Sequence, residues 1–330
     1  MRRALQFFIL ALLVSILPKD VLGAGGHVLL VNSYHQGFQW VRDYTESMMK
    51  QLDSDVSLTS FDLDTKRIPE TQFVAKANEA ISLIDVAKPD VVVLADDNAL
   101  MLLGQKVKDR GIPIVFLGVN GNPRDVLKEI SGITGVLERP LLKRSVLSLN
   151  EVFDQQFRRI AVLFDITTTS KMLLERYFKS HRMQFEGYRA DLEMFSTFDE
   201  WKHFVSTCVH KGYDALLLGV YNRLLADDGK TMVPYRDVAR WTAVNSAVPV
   251  FAFWEFSVAP DMAAGGLVLS GKDQGASAGD MVMRILRGAD VSDMSPVIAR
   301  QGMLLFSRGG LQHWNLTIPE EYREVVELIE

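Results

Sequence analysis

Asp96 and Asp97 stand side by side after the apolar run DVVVLA (90–95), and His35 ends the run NSYH (32–35) that follows HVLLV (27–31). Carboxylates and imidazoles are the groups from which acid/base catalysis and metal sites are built. Their spacing here argues against both. Adjacent residues leaving a strand point in different directions, so the two Asp make a poor carboxylate pair. The His residues fall at 27, 35, 181, 203, 210 and 313, and His203 and His210 are two helical turns apart rather than one. Cys208 is the sole cysteine, and no GxSxG elbow, P-loop, HExxH or complete GxGxxG is present. Without a nucleophile set beside a base, nothing calls for a catalytic residue, a metal or a cofactor. An enzyme is thus a rival reading only, which turnover of a bound solute would revive.

The same residues are better suited to holding a ligand. In parallel sheets, ligands bind beyond the carboxyl ends of the strands. The exits of the predicted strands are Asn32-Ser33-Tyr34-His35, Asp96-Asp97-Asn98, Gly118 to Asn122, Asp165 to Ser170, Tyr221-Asn222-Arg223 and Trp254-Glu255. Thr167 and Thr168 precede a helix whose free N–H groups could hold a carboxylate or phosphate. Asp96 and Asp97 could meet an amine or sugar hydroxyls. Tyr34, Trp40, Tyr221 and Trp254 offer flat apolar walls. Each exit also reads as a helix cap or turn, because Asn, Asp, Ser and Thr are favoured there.

Short apolar runs alternating with helical patterns must position these exits. Strands are predicted at 27–33, 56–63, 90–95 and 113–119, with helices starting at Phe38 and over 71–87 and 98–110. The pattern then restarts: helices near 140–155, 170–182, 199–211 and 234–246, and strands at 159–164, 185–194, 213–220, 248–254 and 266–271. This predicts an α/β fold of two doubly wound parallel-sheet lobes joined by hinge crossings. Residues 132–139, GITGVLER, read as the first crossing, with others near 268–273 and 298–303. Thr197 and Glu200 form a capping box ahead of an apolar stripe that includes Cys208, which reads as a core thiol.

The chain of 330 residues is 48% hydrophobic, enough for two lobes with large cores. A net charge of −5 and the absence of any basic run exclude nucleic acid as a partner. Arg2 and Arg3 precede the apolar run 4–17, then Pro18 and the small-residue stretch VLGAGG (21–26). This is the layout of a secretory signal peptide over 1–24. The run of 14 residues is too short for a transmembrane helix, which needs about 20. No cysteine stands at its end to accept a lipid, so the mature chain is expected free in a bacterial periplasm.

Three stretches carry a resemblance: VLLVNSYHQGFQW (28–40), ITGVLERP (133–140), and GLVLSGKDQGASAGDMVMRILRGADVSDMSPV (266–297) with LTIPEEY (316–322). Together they resemble the periplasmic substrate-binding proteins of ABC transporters with the type I two-lobed fold. Within that family they are most similar to the branch of uncharacterised substrate-binding components, some of which bind aromatic amino acids. The NSYH opening is also similar to ligand-sensing domains of the same fold that serve histidine kinases and diguanylate cyclases. The resemblance implies lobes of 25–137 plus 272–300 and 138–271 plus 301–330. It further implies a small-molecule ligand in the interlobe cleft and, as partner, an ABC permease or a membrane sensor receptor, touched only peripherally. Ala95-Asp96-Asp97-Asn98 departs from the neutral, small-residue turn of the aromatic-amino-acid binders, and two carboxylates there would repel a ligand carboxylate unless a cation intervenes.

The expected ligand contacts are therefore Ser33, Tyr34, His35, Asp96, Asp97, Asn98, Asn120, Thr167, Thr168, Tyr221, Trp254 and Glu255. The expected form of the protein begins at Ala24 or Gly25 and fractionates with soluble periplasm. N-terminal sequencing of fractionated cells checks this, and uncleaved chain in the membrane pellet would refute it.

Overall fold

The computed structural model describes residues 25–129, 131–154, 157–178, 180–299 and 302–330; the expected signal peptide lies outside them. The first lobe begins with β1 (Gly26–Asn32), α1 (Gln39–Met49), β2 (Val56–Asp62), α2 (Phe73–Ala87), β3 (Val91–Ala95), α3 (Asp96–Lys108), β4 (Ile114–Val119), α4 (Pro123–Val126) and β5 (Ile133–Leu137). The second runs through α5 (Leu142–Phe153), β6 (Arg159–Asp165), α6 (Thr168–Leu173), β7 (Arg182–Phe185), β8 (Tyr188–Phe195), α7 (Phe198–Thr207), β9 (Ala215–Leu218), α8 (Tyr235–Asn245), β10 (Val250–Ala252) and β11 (Gly265–Val268). The chain then returns to the first lobe as α9 (Gly271–Leu286) and β12 (Val297–Ile298), and ends in the second as β13 (Met303–Ser307), α10 (Arg308–His313) and β14 (Val326–Ile329).

The first sheet has six parallel strands in the order β12-β5-β4-β3-β1-β2. Val28 to Val31 and Val91 to Ala95 are fully buried, as expected of unbroken apolar runs in strands covered by helices on both faces. The second sheet is ordered β10-β9-β6-β8-β7. The expected capping box forms at the start of α7, and Cys208 is buried.

Three expectations change. Residues 133–137 are not a crossing but β5, paired along β4. Gly135 reads as a bend in sequence, yet it is required for close packing, since a side chain there would collide with the backbone of Phe116. The crossing starts only at Glu138. The strand expected at 185–194 is a hairpin, with β7 antiparallel to β8 and Glu186 and Gly187 both at positive φ, as a two-residue primed turn demands. Finally, β11 does not extend the parallel sheet but pairs antiparallel to β13, which pairs parallel to β14 in a separate three-stranded sheet.

Helix α9 fixes the return crossing. Its buried Gly271, Gln274, Gly275, Ala278 and Gly279 let it lie close against α1, and a methyl at Gly275 would strike the Tyr44 carbonyl. Gln274 Oε1 accepts from the Gly118 N–H at 2.9 Å, tying α9 to the end of β4. The two lobes also meet directly: Phe38 of the first packs edge-on to Tyr235 and Phe256 of the second at 5.3 and 5.0 Å, and Arg236 donates to Gln39 at 3.0 Å. Replacing Gly275 by Ala would ordinarily favour a helix, but here it is expected to lower stability by about 1–3 kcal/mol through overpacking. A shift of the urea midpoint measures this, and an unchanged midpoint would mean that the helices part without cost.

Candidate functional site

The carboxyl ends of both parallel sheets face one cleft. Its inner part is lined by Tyr34, Phe38, Trp40, Lys66, Asp96, Asn120 and Glu138 from the first lobe, and by Thr169, Val220, Asn222, Trp254 and Phe256 from the second. The free space there is about 30 Å³, room for a water molecule or so. A groove continuing from it is walled by Thr65, Asn98, Asp165, Thr167, Thr168 and Arg223. A larger cavity of about 200 Å³ opens beside Asp97, between Leu100, Met101 and Met172.

The Lys66 ammonium lines the inner cleft, 3.8 Å from the Tyr34 ring centroid and 3.9 Å from that of Phe38, a cation–π arrangement with two faces. Around it the carboxylates are buried. Asp96 and Glu138 are each 3% exposed. Asp96 Oδ1 accepts from Trp40 Nε1 at 3.1 Å, whereas its Oδ2 is buried with no hydrogen-bond partner. The Asp96 backbone is left-handed, at φ +66, a conformation that side chains other than Gly adopt at a cost and that clusters at functional sites. Gly118 leaves room for the Asp96 carboxylate, because a Cβ there would lie 2.8 Å from Asp96 Oδ1.

Asp97 turns the other way and accepts from the backbone N–H groups of Asn120 and Gly121 at 3.0 and 2.7 Å. The Asn120 amide donates to Glu138 Oε2 at 3.1 Å and to Asp97 Oδ2 at 3.3 Å. Trp254 Nε1 donates to Glu138 Oε1 across the cleft. Burial pushes the Asp96 carboxyl well above the usual carboxylate range, with Glu138 adding to it and Lys66 opposing. Burial also raises Asp97, against the backbone donors of Gly121 and Asn120, and lifts Glu138 from 4.5 to about 7, against the Trp254 hydrogen bond. Lys66 is lowered by burial from 10.5 to about 8, against the attraction of Asp96, Asp165 and Glu138. Among the described residues no group of three His, Cys, Asp or Glu is placed to hold a metal ion.

Of the residues expected from sequence, Tyr34, Asp96, Asn120 and Trp254 come together in the inner cleft, Asn98, Thr167 and Thr168 in the adjoining groove, and Asp97 at the cavity beside it. Four lie elsewhere. Ser33 is wholly buried, donates to the Ala95 carbonyl and accepts from the Ala99 N–H, so it caps α3 from a neighbouring strand. Tyr221 is 0% exposed and bonds Ser257 within the second lobe's core. Glu255 is held by Lys272 and Ser270. His35 lines none of these spaces and lies by Gly37. The helix start at Thr167 is also no open anion seat, because Asp165 accepts from the Thr167 N–H, the Thr167 hydroxyl and the Ser170 hydroxyl. Lys66, Glu138 and Phe256 are missed by sequence reasoning. Asp64-Thr65-Lys66-Arg67 lies between the predicted strand 56–63 and helix 71–87 and draws no reading of its own, and Glu138 falls in a stretch read as hinge. The exit of the second strand, taken with the others, is the signal that could have found Lys66.

No protein-family model matches the chain, and a search of curated proteins finds no relative. Solved structures do match. The ABC domain from Streptococcus pneumonia in complex with L-Trp superposes with a TM-score of 0.68 at 15% identity, covering 92% of this chain and 100% of that one. The ligand-free, open structure of a substrate binding protein with adhesive properties from Clostridium difficile gives 0.64 at 15%, covering 92% and 99%. An ABC transporter solute binding protein from Bacillus halodurans with bound myo-inositol gives 0.52 at 14%, covering 91% and 97%. The fold is that of the type I periplasmic-binding proteins. Likeness at this identity establishes the architecture and leaves the ligand to the chemistry of the site.

The raised carboxyl of Glu138 has a consequence for stability. The folded state holds this proton more tightly than the unfolded one, so its contribution is complete below pH 4.5 and is lost as pH rises to about 7. At roughly 1.4 kcal/mol per pKa unit, a rise of this size corresponds to about 3 kcal/mol. Glu138→Gln is expected to be less stable at low pH, because its amide N–H must face the Trp254 or Asn120 donor, yet its deficit should shrink by about that amount between pH 4.5 and 7. Denaturation curves across this range check it, and parallel pH profiles would sink the assignment.

Proposed function

We propose that this chain is an exported solute-binding protein that captures a small molecule in the interlobe cleft and delivers it to an ABC transporter, performing no chemistry on it. The observation that carries the reading is convergence. Side chains from the carboxyl ends of both sheets meet in one cleft, where a buried Asp96 oxygen is left without a partner. A fully enclosed polar atom of this kind is costly unless something completes it. The similar structures that hold solutes support the same reading. Among the described residues no helix is long and apolar enough to cross a membrane, in keeping with a binding protein that meets its permease at the surface.

In this reading residues 25–137 plus 272–300 move against 138–271 plus 301–330 about the crossings near 138–141 and 268–271, the third expected crossing, 298–303, including residues 300 and 301 outside the described ones, and the aromatic contacts of Phe38 with Tyr235 and Phe256 hold the closed form. Native mass spectrometry of gently purified protein should show a carried solute, and small-angle scattering should show compaction when it is returned to stripped protein. Tyr34→Ala is expected to weaken that solute by about 1–3 kcal/mol, the loss of a large aromatic contact. Tyr221→Phe, which removes a hydroxyl from the core, should leave affinity unchanged. Calorimetry on both decides it, and equal affinities for the wild type and Tyr34→Ala would place the ligand elsewhere.

A further inference from the structure

The cleft already contains a cation bound by its walls. The Lys66 ammonium lies against the faces of Tyr34 and Phe38, is attracted by Asp96, Asp165 and Glu138, and makes no ion pair within 4 Å among the described residues. It lines the same inner cleft as Asp96, a residue 3% exposed whose Oδ2 lacks any hydrogen-bond donor. Two rings and a carboxylate are the elements of a seat for an ammonium group. With Lys66 in that seat and the lobes in contact, about 30 Å³ remains, which no organic solute fits. Lys66 comes from the loop after β2, and although its ammonium is buried against the two rings, the residue as a whole is only half-buried, which gives its side chain a path toward solvent.

We propose that the solute is an organic cation, a primary or quaternary amine, whose charged group takes the seat between Tyr34 and Phe38 beside Asp96 that Lys66 holds in the closed form. This deepens the solute-binding reading and rests on it. Lys66 is then an internal stand-in for the ligand. It neutralises the cleft when the lobes close without cargo and must be displaced for capture, which reserves full closure for solutes that bind Asp96 better than it does. The opposite assignment, Lys66 as the anchor of a ligand carboxylate, would set that carboxylate against Asp96 and Glu138.

Calorimetry with phenethylamine, choline, phenylalanine and phenylacetate separates the two, because phenethylamine, phenylalanine and phenylacetate share a ring and differ in charge. A cation should bind the wild type more tightly than the zwitterion or the anion. Lys66→Met removes the competitor and should tighten cation binding on the order of tenfold, and Asp96→Asn should weaken it at least about tenfold. Asn tolerates the positive φ at 96, and a gain of affinity in Lys66→Met cannot come from a damaged fold. Preference for phenylacetate or phenylalanine, or weaker binding by Lys66→Met, overturns the proposal and makes Lys66 an anion anchor. Failure of all four probes also overturns it. In that case a solute that native mass spectrometry finds in the wild type, and that Tyr34→Ala loses, leaves the solute-binding reading standing, whereas its absence removes that reading too.

Discussion

The cleft is organised by Glu138, the first residue of the crossing between lobes. Its two oxygens take Trp254 Nε1–H from the second lobe and the Asn120 amide from the end of β4. Asn120 in turn shares Asp97, whose carboxylate gathers the N–H groups of Asn120 and Gly121. Arg139 follows directly and donates to the carbonyls of Val119, Asn120 and Glu138. One buried carboxylate thus links the hinge, the strand end of one lobe and an aromatic wall of the other. Its geometry can be kept only in one arrangement of the lobes, because a carboxylate at this depth that loses either donor is left unsatisfied at a cost of about 1–3 kcal/mol or more.

Such a cleft is held against the stability of the first lobe itself. Asp96, Asp97 and Glu138 all have carboxyl groups raised above their ordinary range, with burial as the first cause. A single ammonium, Lys66, stands among them. Buried charges are weak contributors to folding even when paired, since desolvation offsets most of the attraction. Their retention at one place, together with the left-handed backbone of Asp96, is what the proposed solute-binding role would require, a site preorganised around charge, while the rest of the fold supplies the difference through its wholly apolar strands and the close α1–α9 contact.

The order in which the chain crosses between lobes matters to this. Helix α9 belongs by sequence to the end of the second half, yet its small residues seat it on α1, and Gln274 reaches the Gly118 N–H at the lip of the cleft. The return crossing is therefore anchored on the same strand end that carries Asn120. In the proposed solute-binding reading, this anchor would keep the first lobe's half of the site in place if the lobes rotate, the condition for specificity from a few well-placed groups.

Periodicity alone determined the class of fold, because strands buried on both faces must be written as unbroken apolar runs such as VVVLA and helices as stripes such as the one through Phe38, Val41 and Met48. The strand-end rule then anticipated that Tyr34, Asp96, Asn120 and Trp254 would share one cleft, since backbone direction places whatever follows a parallel strand at one edge of the sheet. It could not separate them from Ser33 and Tyr221, which leave similar strands but spend their hydroxyls on a helix cap and on Ser257, because a polar group's partner 62 or 36 residues away is not written beside it. Nor could sequence tell that Gly135 is a close contact rather than a hinge, or that Lys66 in a charged turn folds back onto two rings. Those outcomes were decided by the tertiary structure, for the physical reason that a charge or a glycine has its meaning fixed by what packs against it, and packing joins residues that the chain keeps apart.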